Sequence, residues 1–333
     1  GGTEGALAAY RAGEVDVVSN AAVEPLAVKL LTPYEDFRRE TFAALNYYRF
    51  NTARPPFDDL RVRRALAHAL DVPRLSADTL GGSTEPTDRF LPAPAEGVGE
   101  SGGGGGGVGR VEPSRAAGGA GGEPGRPTHN VERARKLLEE AGYPGGVNFP
   151  RVRLLVNRNE QQRLVAQAVA RMWREALGVE TEVIIRPWEE YEAMLRAGDY
   201  DVARRSLVMQ TTDEETNMLQ LFGGPAAEEP AAEGAEAAPQ ASPPASPAQD
   251  GVEGGGARTD ADAANFILTE EQALEELPGI PLHFASSYAL VKPYVEGFES
   301  NLLDAPSLKH VRINTAWRPP SPEQPARLSR LTR

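Results

Sequence analysis

Residues 152–208, VRLLVNRNEQQRLVAQAVARMWREALGVETEVIIRPWEEYEAMLRAGDYDVARRSLV, decide the fold. Val152 to Val156 is a short apolar run of strand length. Gln161 to Leu177 repeats at helical spacing, with Leu164, Val165, Ala168, Val169, Met172 and Trp173 on one face. Val179 to Ile185 is rich in β-branched residues, Trp188 to Ala197 turns Tyr191, Met194 and Leu195 inward, and Asp201 to Val208 closes the series as a third strand. Strand, helix, strand, helix, strand with short links predicts a parallel sheet with right-handed crossovers. Trp173 and Trp188 both fall on core positions of this α/β lobe.

On the upstream side, Asn130 is placed to cap a helix carrying Val131, Ala134, Leu137, Leu138 and Ala141, which Gly142 ends. Asp58 or Asp59 caps another, whose apolar face is Val62, Ala65, Leu66, Ala69 and Leu70. Phe42 to Phe50 reads as a buried strand, and the paired prolines of the Asn51–Pro56 turn exclude helix there. Gly5 to Val18 predicts a short helix, stopped near Gly13, that leads into a strand. Downstream come a helix from about Ala261 to Leu277, an apolar stretch from Ile280 to Val291, and a last strand over Val311–Asn314 that is expected to rejoin an earlier sheet.

The chain has 333 residues, including 34 glycines and 28 prolines, no cysteine, and a net charge of −13. Of the glycines and prolines, 19 lie between Pro92 and Pro127 and 13 between Gly223 and Ala257. Those stretches carry almost no large apolar side chains, so they predict disordered insertions. No apolar run approaches the roughly 18 residues of a membrane span. The absence of cysteine excludes disulfides, thiolate metal sites and a cysteine nucleophile. An acidic balance argues against non-specific binding to nucleic acid or anionic lipid, and the short basic tail at Arg327, Arg330 and Arg333 is too small to reverse it. The Gly1-Gly2-Thr3 start lacks an initiator methionine, which predicts a processed or truncated beginning.

Catalytic signatures are missing. His68, His129, His283 and His310 are scattered and none stands in a metal-binding spacing, so no metal site and no cofactor are expected. No serine sits in a G-x-S-x-G elbow, and the Gly102–Gly107 run lacks the Lys-Ser/Thr ending of a phosphate loop. Glu139-Glu140 and Glu189-Glu190 lie on outward helix faces, where nothing drives two carboxyl pKa values apart.

FNTARPPFDDLRVRRALAHAL from Phe50 to Leu70, followed by Asp71, is similar to the pattern FNT-x-x-PPF-x-D-x-RVR-x-AL-x-x-AID. AGEVDV from Ala12 to Val17 is similar to AGE-x-D, and ARKLLEEAGYP from Ala134 to Pro144 to A-x-x-LL-x-EAGYP. PGIPLHFASSYALVKPYVEGF from Pro278 to Phe298 is similar to an IPL…LVKP-x-V-x-GF segment. In these four stretches, and in their order along the chain, the sequence resembles the extracytoplasmic solute-binding proteins of peptide ABC transporters, the family 5 group of oligopeptide- and dipeptide-binding type.

The resemblance implies an α/β fold like the type II periplasmic binding proteins, in which two lobes enclose the ligand. Residues 1–50 would end lobe one and begin the crossover, and 51–290 would form lobe two, with insertions at about 92–127 and 223–257. Residues 291–333 would return to lobe one and end in a tail, the N-terminal part of lobe one being missing. In this family, ligand chemistry gathers where the third strand of lobe two leaves the sheet. The run from Ala203, ARRSLVMQTTDEETNMLQLF, follows the pattern AR-x-x-W-x-x-DY at Ala203-Arg204. Arg204 takes the place of an arginine near the ligand carboxyl end, and Leu207 that of a tryptophan. Gln210 replaces the aspartate that pairs with the peptide amine, and Glu214 the proline, while Asp213 survives three residues on. A buried ammonium needs a charged partner. Three readings follow: Asp213 takes over, the ligand lacks a free amine, or binding has decayed.

Leu207, Val208 and Met209 would offer backbone groups to an extended peptide. Tyr47, Tyr48, His283 and Phe284 fall near the hinge, with Tyr48 and His283 as pocket candidates; adjacent strand residues point to opposite faces, so at most one of the two tyrosines meets the cleft. An alternative role for Arg204 is pairing with a surface acid, and for His283 packing against the hinge. The implied function is non-enzymatic: capture of a short peptide and delivery to an ABC permease, in the periplasm or on the outer face of the membrane, with membrane association only through the permease or a lipid anchor outside this chain. Rival readings are a nickel complex, sugar or opine on the same fold, or a regulatory domain that has lost transport.

Overall fold

The structure, a computed structural model, describes residues 3–19, 30–93, 126–223, 266–299, 301–303, 305–306 and 308–318. Nearly all of both glycine- and proline-rich insertions, the Ala261–Asn265 start of the expected late helix, and the basic tail lie outside them.

Two long strands organise the sheet: β2 (Phe37–Phe50) and β7 (Gly279–Val291). They run antiparallel from Phe37↔Leu290 to Arg49↔Gly279, with register shifts between Phe42 and Leu45 and between Asn46 and Tyr47. On the far side of β7 lie β1 (Val17–Val18), at Val291 and Leu290, and β3 (Thr84–Pro86), at Ala285 to His283. Gly279 is required where the two long strands meet, because a Cβ there would stand 2.5 Å from the Tyr48 carbonyl oxygen.

The βαβαβ unit forms as the periodicity predicts. β4 (Val152–Asn157) pairs in parallel with β5 (Thr181–Arg186), and briefly with β6 (Val202–Val208), giving the order β1-β7-β2-β6-β4-β5. The helices numbered in chain order before this unit are α1 (Thr3–Ala12), α2 (Leu60–His68), α3 (Val72–Thr79) and α4 (Val131–Glu140). α5 (Glu160–Leu177) starts at Asn159, whose side chain accepts the Gln162 N–H at 3.0 Å, and ends at the left-handed Gly178. Its buried stripe includes Val165, Val169 and Trp173. The Trp173 indole N–H donates to the Leu66 carbonyl at 2.9 Å, fixing α5 to α2 across the main core.

α6 (Trp188–Arg196) follows β5, and here one expectation is corrected. Tyr191 is buried, but Trp188 is 45 % exposed. It occupies the first helical residue, just past the end of β5, where the helix has not yet come under the sheet. The closing helices are α7 (Glu214–Phe222) and α8 (Glu270–Glu276). A second correction concerns the C-terminus: β9 (Arg312–Ile313) pairs with β8 (Val295–Glu296) as a separate two-stranded sheet and does not rejoin the large one.

The Arg63 side chain joins parts of the chain that are distant in sequence. Its buried guanidinium donates to the carbonyls of Phe57 and Asp58, at 2.8 and 2.9 Å, and to those of Glu276 and Leu277, at 2.6 and 3.1 Å. It therefore ties the turn after β2 to the C-terminus of α8, where orphan carbonyls need donors. Arg63→Met keeps the stem and removes the donors, and leaving buried acceptors unpaired costs about 1–3 kcal/mol each. We expect a loss of at least about 3 kcal/mol in urea unfolding; a loss below about 1 kcal/mol would show that water replaces the guanidinium.

Candidate functional site

β6 lies between β2 and β4 but is paired unequally. With β2 it is matched along its length, from Phe50↔Val202 to Ala44↔Val208. With β4 it is matched only at Leu154↔Val202 and Leu155↔Ala203. From Arg204 to Val208, no strand lies on its other side among the described residues. Asn51 anchors the entry, its amide donating to the carbonyls of Gly198 and Tyr200 at 3.0 and 3.1 Å and its backbone N–H to Asp201 at 2.9 Å.

The hydrogen-bond phase sets which residues face the open side. Met209 N–H donates to Ala43 at 2.9 Å, so Met209 and Leu207 turn their backbone groups to β2 in the antiparallel alternation. Arg204, Ser206 and Val208 turn theirs away. The Arg204 carbonyl accepts the hydroxyl of Tyr191, while the Gln210 amide reaches back to the Val208 carbonyl at 3.4 Å. Of the three residues expected to offer backbone groups, only Val208 does so on the open side. Ser206, which periodicity along Arg204–Val208 would have indicated, is the other.

Side chains on one face complete the site. The register places Tyr48 opposite Arg204, and Asn46 opposite both Ser206 and His283. Arg204 donates to the Asn46 Oδ1 at 2.6 Å. Tyr48 is fully buried, and its hydroxyl has no hydrogen-bond partner among the described residues. Burial raises its pKa above the usual phenol range. His283 is 4 % exposed, and burial, with Arg204 nearby adding to it, lowers its pKa to about 4. It is neutral at pH 7. Tyr47 is buried on the opposite face, among Phe90 and Phe222, and Phe284 belongs to the same cluster.

The remaining candidates have structural partners. Met209 is buried in that second cluster, against which Leu207 packs half-buried. Asp213 is the N-cap of α7, its Oδ1 accepting the Thr216 N–H at 2.9 Å, and hydrogen bonds from the Thr216 side chain and backbone hold its carboxyl below the usual range. Gln210 is exposed. Among the described residues no three of His, Asp and Glu are grouped to hold a metal ion, and no helix is long and apolar enough to cross a membrane.

Comparison with known proteins agrees with this architecture. Residues 3–229 match the family model described as bacterial extracellular solute-binding proteins, family 5 Middle. The chain belongs to this family. Among relatives of this solute-binding family, the "Oligopeptide-binding protein OppA" of Bacillus subtilis is 26% identical over 218 residues, which cover 65% of this chain and 37% of the relative. The "Probable deoxycholate-binding periplasmic protein YgiS" of Escherichia coli is 27% identical over 295 residues, covering 87% of this chain and 49% of the relative. The solved structure described as "MppA Periplasmic Murein Tripeptide Binding Protein, Unliganded Open Form" aligns with a TM-score of 0.65 at 22% identity, covering 93% of this chain and 55% of that one. The chain thus has the α/β fold of the type II periplasmic binding proteins, and it spans half or less of the length of these two relatives.

The buried His283 makes stability depend on pH in a defined sense. Its folded pKa lies below the value of an unfolded histidine, so between about pH 6.5 and 4 the unfolded chain takes up a proton that the folded chain refuses. Stability is unaffected by this group above pH 6.5 and falls as pH drops, by up to about 3 kcal/mol near pH 4. His283→Gln should flatten that part of the stability-versus-pH curve in chemical unfolding; an unchanged slope would mean that His283 titrates normally.

Proposed function

We propose that this chain binds a short peptide in extended form along the open side of β6 and, outside the cytoplasmic membrane, presents it to an ABC-transporter permease. The observation that carries the reading is the open side of β6 beyond Ala203, where Ser206 and Val208 turn backbone groups away from β2 beside Arg204. A peptide added there gains main-chain hydrogen bonds that do not depend on its side chains, which suits broad specificity. Tyr48, His283 and Arg204 would line the pocket face, and Leu207, Met209, Gln210 and Asp213 would shape its exit. The names of relatives, an oligopeptide-binding OppA among them, support the peptide reading. Residues 51–290 would then form the ligand lobe, 1–50 and 291–333 belonging to the crossover and to lobe one.

A non-peptide solute on the same fold is the second reading. It is favoured by the relative named for deoxycholate binding and by the neutral Gln210 at the strand exit.

Thermal melting of the chain against a library of di- to pentapeptides, with bile acids, sugars and nickel complexes alongside, tests both. Stabilisation by peptides supports the first reading; stabilisation by a non-peptide solute alone overturns it. Ser206→Pro sharpens the test. Proline removes an N–H on the open side while leaving the β2 ladder intact. Peptide affinity should fall about tenfold, the value of one well-formed hydrogen bond, with little loss of stability. Unchanged affinity would place the ligand elsewhere.

A further inference from the structure

We propose that the site takes peptides, or peptide-like solutes, whose end beside Gln210 carries no ammonium group, an N-acylated peptide being the simplest case. This rests on the reading of β6 as the ligand's partner strand. A chain lying along Arg204–Val208 has one end at the Met209–Asp213 turn and the other beside Tyr191 and Arg204, and among the described residues neither end holds a buried carboxylate ready for a cation.

At the first end Gln210 is neutral, and its amide turns to the Val208 carbonyl at 3.4 Å. Asp213 is committed to the first turn of α7: its Oδ1 accepts the Thr216 N–H at 2.9 Å, and its own N–H donates to the Thr211 hydroxyl at 3.1 Å. Asn217 donates to the Thr211 carbonyl at 3.0 Å, while its own buried Oδ1 has no hydrogen-bond partner among the described residues. The nine-residue α7 directs the positive end of its dipole to this corner, which disfavours a cation. Glu214 is held by the Glu270 N–H at 2.7 Å, and Glu215 is exposed to water.

The other end carries two neighbouring cationic side chains. Arg204 and Arg205 follow one another on β6. Of the nearby carboxylates on α6, Glu190 pairs with Arg186 at 3.6 Å and Glu192 with Arg196 at 3.8 Å, while Glu189 is exposed. An ammonium beside Gln210 meets a neutral side chain and the positive end of α7, whereas an acyl amide there asks only for a donor and an acceptor, both of which Gln210 carries.

Isothermal titration calorimetry of the chain with tri- to pentapeptides, each as a free-amine and N-acetyl pair at pH 7, tests this. The acetylated member should bind as tightly as its partner or more tightly; a preference of more than threefold for the free amine overturns the proposal. Gln210→Asp, which gives up the amide donor and adds a negative charge, should shift the ratio toward the free amine by tenfold or more; an unmoved ratio also overturns it. Asp213→Asn keeps the capping acceptor and should leave the ratio unchanged, and a selective loss of free-amine binding would overturn the proposal. If neither member of any pair binds, the peptide reading itself falls and this proposal with it, whereas amine preference removes only this proposal.

Discussion

The antiparallel ladder of β2 and β7 is the constraint on which the rest of the molecule depends. These strands, of 14 and 13 residues, exceed the usual length of about 5–6, and every other strand of the large sheet is attached, directly or through β6, to one of them. Their sequence separation is large, so the ladder closes only with a high entropic cost that the cores on both faces offset. Those cores, one around Trp173 and Leu66 and the other around Phe90 and Phe222, meet the two faces of β2 at Tyr48 and Tyr47. Arg63 then ties the turn after β2 to the segment that enters β7.

The open side of β6 follows from an offset in this arrangement. β2 accompanies β6 to Val208, but β4 meets it only at Val202 and Ala203, so the two neighbours of β6 end at different heights. The C-terminal end of a strand in an α/β sheet is where ligands of such folds are bound. Here that end combines outward backbone groups, the Arg204–Asn46 bond, and a neutral buried histidine.

Much of the fold was legible because periodicity and caps agree. The helical spacing of residues 161–177 gave α5 to within a residue, and Asn130, Asn159 and Gly178 stop or start helices by hydrogen bonds their side chains or backbone can make only there. The N-terminal half of β2 was less legible, since Phe37 to Thr41 carries Arg38, Arg39 and Glu40 in a row, and these charges are accepted because the strand edge is half-exposed. Trp188 shows the limit of periodicity: it shares a helical face with Tyr191, and whether that face lies under the sheet depends on where β5 ends. Of the site, Arg204 and His283 were indicated by family resemblance. Asn46 and Ser206 were not, because their roles come from cross-strand register, which a sequence does not state.

Residue-resolved amide hydrogen exchange, with and without saturating peptide, tests whether a ligand strand pairs with β6 on the side away from β2. Ser206 and Val208 should exchange quickly in the free protein and become protected on binding, while Leu207, already bonded to β2, should be slow in both states. Peptide binding that leaves Ser206 and Val208 exchanging at their free rates would contradict it.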